Sequence, residues 1–270
     1  MAVWDKITSS GNVQDRRGSA PMMVGGGLSL TGLVVVLLFN YLSGGNIGDV
    51  LSQIDTTNTP QVQSYNARDF EGADNYEVFT SKVLGSANDV WTKKFSERGK
   101  TYTPPKLVLF RGATQSSCGG ADSRVGPHYC PIDHTIYLDE TFFEELNTRF
   151  RAQGGDVAEA YVIAHEVGHH AQEELNLLIE NTTKEESVKT ELQADCFAGL
   201  WANSIRDLGV FEPGEIQEAI NEAAAVGDDR IQKATTGRIN PESWTHGSSA
   251  SRVASFTKGY ETGSLSACGI

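Results

Sequence analysis

The sequence predicts a helix-rich α+β domain with a small sheet, preceded by one transmembrane helix near the N-terminus. Three observations predict this architecture. Apolar residues recur at helical spacing in several stretches after residue 74, only two short runs have the composition of strands, and one uncharged stretch precedes the domain. A length of 270 residues is enough for one sizeable core and too small for two large domains.

The uncharged stretch covers residues 22–42. As a helix it would span about 30 Å, which is the thickness of a hydrocarbon core. A cleaved signal peptide and a buried helix are the alternatives, but the polar leader is long and no A-x-A site follows. Arg16 and Arg17 precede the stretch, whereas Asp49 and Asp55 follow it. The positive-inside rule therefore predicts a cytoplasmic N-terminus and an extracytoplasmic domain in a single-pass protein of the cell membrane.

The rest of the chain divides around this stretch. Residues 1–21 have the composition of a short disordered cytoplasmic tail. Residues 43–68 are rich in Gly, Ser, Thr, Asn and Gln, which is typical of a flexible tether. Residues 69–270 form the predicted domain. The formal net charge of −13 argues against a nucleic-acid partner and indicates either a soluble exported domain or a preference for basic substrates.

The first half of the domain supplies a helix, two strands and a short helix. Helical spacing predicts a helix over residues 75–98 with Asp74 as its cap. Strands are predicted at 106–110 and 135–139, and a short helix at 141–150.

An exposed strand edge can bind a peptide through backbone hydrogen bonds. The strand of Ile136, Tyr137 and Leu138 precedes the motif described next, and it could pair with an extended substrate. An ordinary strand inside the sheet is the alternative.

The most specific signal is a HExxH pattern formed by His165, Glu166 and His169. A capping signal at Asp156 and Glu159 predicts that a helix begins just before it. Residues four apart on a helix share a face, so the two histidines can bind one metal ion. Glu166 lies beside that ion, where it can act as a general base without being a ligand.

A second helix supplies the remaining ligand. Thr183 and Glu186 form a capping box at its start, and Glu191 and Asp195 lie four apart further along. We expect Glu191 to bind the metal and Asp195 to accept the free ring N–H of His165. Thermolysin-type (gluzincin-like) peptidases bind zinc through two histidines and one glutamate, and they leave one coordination position open. The sequence therefore predicts a zincin-like metallopeptidase domain.

The four cysteines suit an oxidising compartment. Cys118 and Cys130 lie in a loop-like segment and are predicted to form a disulfide. Cys196 is expected to be a small buried residue without a partner, and Cys268 is left unassigned. His170 points about 100° away from His169 and is expected to be a polar helix residue.

The chain resembles the bacterial neutral zinc metallopeptidase family, whose members are tethered to the membrane. The resemblance extends over nearly the whole chain, and it implies a peptidase fold and a zinc cofactor. The segments that carry it are 12–17 (NVQDRR), 118–119 (CG), 129–131 (YCP), 136–139 (IYLD), 165–170 (HEVGHH), 191–196 (ELQADC), 227–229 (GDD) and 245–248 (THGS).

The last part of the chain predicts helices over 213–235 and 249–261, separated by a turn rich in Gly and Ser. His246 lies in this turn, and it is our first candidate for the donor that stabilises a tetrahedral oxyanion. Tyr129 and Tyr137 are weaker candidates, and a histidine that only buttresses the turn is the alternative for His246.

The predicted function is hydrolysis of a peptide bond in a protein or peptide substrate. Zn²⁺ is the predicted cofactor, and Glu166 would activate a water molecule held by the metal. A zinc-binding envelope scaffold without turnover is the alternative, although a scaffold needs no general base. A zinc amidase acting on cell-wall peptides is a third possibility, for which HExxH is less typical.

Overall fold

The protein is described by a computed structural model, which covers residues 2–17, 75–122, 126–150, 154–178 and 183–270. These residues form a helix-rich α+β fold with a small sheet, as predicted. The strands are β1 (Asn12–Asp15), β2 (Lys106–Phe110), β3 (Ala113–Ser116), β4 (Gly119–Asp122), β5 (His128–Cys130) and β6 (Thr135–Asp139). The helices are α1 (Asn75–Ser96), α2 (Thr141–Phe150), α3 (Asp156–Glu174), α4 (Lys184–Arg206), α5 (Ile216–Ala225), α6 (Asp228–Thr236) and α7 (Ser249–Thr262).

The main sheet has four strands in the order β1-β2-β6-β5, and β3 pairs with β4 in a separate hairpin. β1, β2 and β6 are parallel, whereas β5 runs antiparallel to β6. Of the two alternatives for the Ile136–Leu138 strand, the structure supports an ordinary strand inside the sheet and not a substrate-binding edge. β6 has a neighbour on each side and is buried along its whole length, which is what its apolar sequence favours. Among the described strands, β5 is the edge on this side of the sheet.

The prediction of a disordered tail over residues 1–21 is wrong for residues 2–17. β1 pairs in parallel register with β2, and Val13 lies opposite Leu107. Arg17 is only 3% exposed, and it forms ion pairs with Asp15 at 2.7 Å and Glu140 at 2.6 Å. The segment lies at a sheet edge and is held partly by ion pairs, so its sequence is polar. A polar sequence is also typical of a disordered tail, which is why the prediction failed.

Helix α3 lies at the centre of the apolar core. It packs against α1, α4 and α5, so that large side chains from several helices surround the metal-binding motif. The Trp91 and Phe197 rings, for example, meet edge to face at 4.7 Å. The largest fully buried side chains of the helices are Trp91, Phe95, Tyr161, Phe197, Trp201 and Phe256.

Two glycines allow α4 and α7 to pack at very short distance. A Cβ atom on Gly199 would lie 2.0 Å from the carbonyl oxygen of Phe256. A Cβ atom on Gly259 would lie 1.9 Å from the carbonyl oxygen of Cys196. Neither position has room for a larger residue, so this packing brings the side chains of α7 within reach of those on α4.

The structure corrects one helix start. The D-x-x-E capping signal of Asp156 and Glu159 does not cap α3, because the N-cap residue is Gly155 and no side chain caps it. Asp156 Oδ2 instead accepts hydrogen bonds from the backbone N–H of Ala2 at 2.9 Å and from Trp4 Nε1 at 2.7 Å. Asp156 therefore binds the N-terminal segment to the start of α3.

Two further helix predictions have different outcomes. The capping box of Thr183 and Glu186 is confirmed at the start of α4. The single helix predicted over 213–235 is wrong, because the chain breaks between α5 and α6 at Gly227. A Cβ atom there would lie 2.4 Å from the backbone nitrogen of Ser249, so the chain passes close to the start of α7 at this point.

Both pairs of cysteines form disulfides. The predicted Cys118–Cys130 bond is present in the structure. The expectation that Cys196 has no partner is wrong, because it is bonded to Cys268, 72 residues away. This second disulfide ties the C-terminal end of the described chain to α4.

Part of the predicted organisation lies outside the described residues. This applies to the transmembrane stretch 22–42, the tether 43–68 and the cap at Asp74. Among the helices of the residues described, none combines the length and the apolar character needed to cross a membrane.

Glu222 gives a test of the buried electrostatics of this fold. Its side chain is 1% exposed, and burial together with the charge of Glu159 raises its pKa to about 7. The native state then holds the proton more tightly than the unfolded chain does. This contribution to stability is complete below the ordinary pKa of about 4.5 and is lost as the pH rises through 7.

We predict that Glu222→Gln raises the free energy of unfolding at pH 8 by about 3 kcal/mol and changes it little at pH 4. Urea denaturation at both pH values measures this difference. Glu261→Gln, an exposed change on α7, is the control and should have no effect at either pH. Equal effects of Glu222→Gln at both pH values would contradict the prediction.

Candidate metal centre and active-site cleft

The three predicted zinc ligands come together between α3 and α4. His169 Nε2 lies 3.1 Å from His165 Nε2, and the two Glu191 oxygens lie 3.2 Å from His165 Nε2 and 3.4 Å from His169 Nε2. Ligand atoms on a tetrahedral zinc ion, with bonds of about 2.0–2.1 Å, are separated by roughly 3.3 Å. The donor types and their spacing therefore fit a zinc ion, and all three side chains are at least partly buried.

The predicted partner of His165 is also in place. Its Nδ1 lies 2.9 Å from Asp195 Oδ1, although the angle is too oblique for a regular hydrogen bond. A carboxylate at this position fixes the ring so that Nε2 faces the metal position. On the same helix face, Glu191 thus lies near the Nε2 atoms of both histidines, and Asp195 lies near Nδ1 of His165.

Asp195 is held by a residue that the sequence did not indicate. Arg252 on α7 donates from Nε to Asp195 Oδ2 and from Nη2 to Oδ1, both at 2.9 Å. Tyr161 on α3 donates its hydroxyl to Oδ1 at 2.6 Å. Burial raises the pKa of Asp195, but the charges and hydrogen bonds of Arg252 and His165 together outweigh it, so the pKa is lowered overall. The sequence did carry one sign that Arg252 is buried, because it lies on the same helix face as Phe256 and Gly259.

A second residue missed from the sequence orients His169. Its Nδ1 lies 2.9 Å from Gln172 Oε1, one helical turn further along α3, so an N–H there donates to the amide oxygen. The Gln172 amide nitrogen in turn donates to Thr190 O at 2.8 Å and to Gln193 Oε1 at 3.0 Å. Gln172 is buried, so a chain of hydrogen bonds from α4 fixes the ring of His169.

The pKa values of His165 and Glu191 are shifted in directions that favour opposite charges on the two side chains. Burial lowers the pKa of His165, but the carboxylates of Asp195 and Glu191 outweigh it and raise that pKa to about 10. Burial raises the pKa of Glu191, but the neighbouring charges of His169, His165 and Arg252 hold it well below its usual range. A metal ion that binds here must therefore displace a proton from His165.

The ligands open onto a cleft of about 670 Å³. Glu166 lies in its wall beside the ligands and is only 7% exposed. Strand β5 contributes His128 and Tyr129 to the lining, so the edge strand of the described sheet borders the cleft. Apolar residues of the lining are Pro127, Phe142, Leu146 and Val162.

His246 also lines the cleft. Its Nδ1 lies 3.2 Å from Asp228 Oδ1, while Asp228 Oδ2 accepts the backbone N–H groups of Thr245, His246 and Gly247 at 2.7–2.9 Å. The bond to Asp228 raises the pKa of His246 and outweighs burial, with a further contribution from Glu191. Asp228 therefore positions the turn and its histidine, a role that was not predicted.

The two tyrosine candidates are separated by the structure. Tyr129 lies in the cleft lining. Tyr137 does not, because its hydroxyl donates to Asp133 Oδ2 at 2.9 Å and its ring stacks on His128. Tyr129 therefore borders the cleft, although its hydroxyl contacts His170 and Glu173.

The helix-rich α+β fold carries two histidines and a glutamate of the kind that bind zinc in metallopeptidases. The chain belongs to the family described as "putative neutral zinc metallopeptidase", whose model matches residues 2–270. It is 41% identical to the uncharacterized protein YpfJ of Escherichia coli K12, over 98% of this chain and 97% of YpfJ. It is 42% identical to the uncharacterized protein Rv2575 of Mycobacterium tuberculosis H37Rv, over 84% of this chain and 83% of Rv2575. No solved structure matches.

Replacing the third ligand tests the metal centre. We predict that Glu191→Ala lowers the zinc retained after dialysis by close to one equivalent per chain, because two histidines alone bind zinc weakly. Metal analysis of the purified protein measures this loss. Glu185→Ala, an exposed change on the same helix, should leave the zinc content unchanged. An unchanged content in Glu191→Ala would mean that the third ligand lies elsewhere.

Proposed function

We propose that this protein is a zinc-dependent endopeptidase that hydrolyses peptide bonds in the cleft beside α3. The observation that carries the proposal is the convergence of His165, His169 and Glu191 with Glu166 beside them. Zinc held by these ligands would supply Lewis acidity, which polarises a carbonyl group and lowers the pKa of water toward about 7.

Glu166 is the proposed general base. It follows the first ligand histidine on α3, and its carboxylate lies in the cleft wall with little exposure to solvent. From this position it would take a proton from the attacking water and deliver it to the leaving amine. A zinc-binding scaffold has no need of a carboxylate here, so the placement of Glu166 favours the enzyme over that alternative.

His246 is the proposed donor to the developing oxyanion. Asp228 accepts a hydrogen bond from Nδ1, which leaves Nε2 as the ring nitrogen available to the cleft. The same contact favours the protonated ring, which can donate from that nitrogen. Donors fixed before the reaction stabilise developing charge without a cost of reorganisation.

The edge strand β5 suggests how a substrate binds. It pairs with β6 on one side only, and it lines the cleft through His128 and Tyr129. We propose that an extended peptide adds to this free edge and places its scissile bond over the ligands. The apolar lining of Phe142, Leu146 and Val162 supports a preference for an apolar side chain next to that bond.

Replacing the Glu166 carboxylate by an amide of nearly the same shape tests the mechanism. We predict that Glu166→Gln retains zinc but lowers kcat by about 100- to 10,000-fold, because the amide cannot accept the proton. Mass spectrometry of a complex peptide mixture after incubation with the protein measures cleavage. Glu144→Gln, an exposed change on α2, should cleave normally. Undiminished cleavage by Glu166→Gln would eliminate the proposed role of Glu166.

We also propose that the peptidase domain works in an oxidising space outside the cytoplasm. The Cys118–Cys130 and Cys196–Cys268 bonds support this location, since disulfides persist in such compartments. Membrane attachment through residues 22–42 stays a prediction from the sequence.

The thiol state inside cells tests this location. We predict that protein from acid-quenched cells reacts with a maleimide only after reduction, because all four cysteines are paired. Gel mobility before and after labelling measures the number of free thiols. Cytoplasmic expression in a reducing strain is the control and should give labelled protein. Free thiols in the protein from its native compartment would contradict the proposed location.

A further inference from the structure

A second cluster of metal-binding side chains lies on another face of α3. His170 follows the ligand His169 directly, but it points about 100° away and is fully buried. Around it lie Tyr129 of β5, His134 of the turn between β5 and β6, and Glu173 of α3. We call Tyr129, His134, His170 and Glu173 the His170 cluster.

The donor atoms of the His170 cluster are close together. Tyr129 Oη lies 2.8 Å from His170 Nδ1 and 3.1 Å from His134 Nδ1, and it also contacts Glu173 Oε2. His134 Nδ1 lies 3.3 Å from the same Glu173 oxygen. One atom each from His134, His170 and Glu173 can be chosen so that all lie within 4.8 Å of one another. Of the separations among these three side chains, the 3.3 Å between His134 Nδ1 and Glu173 Oε2 matches that of two ligands on one zinc ion.

A backbone carbonyl fixes the tautomer of His170. Its Nε2 lies 2.6 Å from Thr103 O. A carbonyl oxygen can only accept a hydrogen bond, so Nε2 carries the proton and Nδ1 presents a lone pair to the cluster. Histidines that bind metals are held in the same way, through the ring nitrogen that faces away from the ion.

In the His170 cluster, more hydrogen-bond acceptors surround the Tyr129 hydroxyl than its single proton can satisfy. His170 Nδ1 and Glu173 Oε2 are both acceptors that contact Tyr129 Oη. A tyrosine hydroxyl has a single proton, so it cannot donate to both. A divalent cation would satisfy both lone pairs together, and it would also offset the carboxylate charge.

His134 reaches the cluster through an unfavourable backbone conformation. Its φ of 51° lies in the left-handed region, which residues other than glycine rarely adopt. Such a conformation costs on the order of 1 kcal/mol and is found most often where a side chain serves a site. Here it belongs to the turn that brings the His134 ring against His170, with ring centroids 6.0 Å apart.

We propose that the His170 cluster is a second zinc site, separate from the catalytic ligands. His134 Nδ1, His170 Nδ1 and Glu173 Oε2 would bind the ion, and Tyr129 Oη is the nearest fourth oxygen. Two imidazole nitrogens and a carboxylate are ligands that zinc accepts readily. An ion at this position would join α3 to β5 and to the turn after it, and so would hold in place the strand that lines the cleft.

Zinc binding in the Glu191→Ala background tests this proposal, because the first site is disabled there. Equilibrium dialysis against Zn²⁺ followed by metal analysis should find close to one bound equivalent per chain. His134→Gly should remove this equivalent while relieving the left-handed strain, so that the variant folds at least as well. Glu173→Gln should weaken binding at least tenfold, whereas Glu174→Gln should bind zinc as the background does.

A second measurement locates the ion. Hydrogen exchange in residues 128–137 should slow when zinc is added to Glu191→Ala, and it should not change in the variant that also carries His134→Gly. The proposal is overturned if the background binds no zinc, or if both His134→Gly and Glu173→Gln retain it. In the parent chain His134→Gly should still hold zinc at His165, His169 and Glu191, so failure here is distinguishable from failure of the proposed peptidase.

Discussion

The ion pair between Asp195 and Arg252 is the interaction on which the rest of the site depends. Both side chains are buried, and two hydrogen bonds of 2.9 Å join them in a bidentate pair. The pair brings together three helices, since Asp195 also contacts Tyr161 and His165 on α3. Loss of either partner would leave a buried charge uncompensated, at a cost of about 3–5 kcal/mol. The carboxylate that orients the first metal ligand is therefore also a structural centre of the domain.

The close packing of α4 and α7 makes this ion pair possible. Gly199 and Gly259 remove the two Cβ atoms that would keep the helices apart, so Arg252 can reach Asp195. The Cys196–Cys268 disulfide lies immediately beside Asp195 in sequence and fastens the end of the chain to the same helix. Backbone packing, the covalent bond and the buried charges thus all act on the segment of α4 that follows Glu191. A rigid support of this kind keeps the ligand geometry stable against local opening.

The parts of the site that could be predicted from sequence are those set by local periodicity. Spacings of four residues on a helix placed His165 beside His169 and predicted that Asp195 would pair with His165. Arg252 and Asp228 were not predicted as partners, because their contacts depend on how distant helices pack. For the fold, helical periodicity and apolar strands were sufficient for most elements. Strands β1, β3, β4 and β5 were not predicted, because each is only three or four residues long and lacks an apolar pattern. The bond between Cys196 and Cys268 was also missed, since such a distant pairing leaves no local pattern.

The position of β1 constrains how the chain can cross a bilayer. Asn12–Asp15 and Lys106–Phe110 are neighbouring strands of one sheet, so both must lie in the same compartment. The apolar stretch 22–42 falls between them in sequence. One passage through a membrane between the two strands would place them on opposite sides and break their pairing. The pairing of β1 with β2 therefore requires that Asn12–Asp15 and the rest of the domain lie on the same side of any membrane.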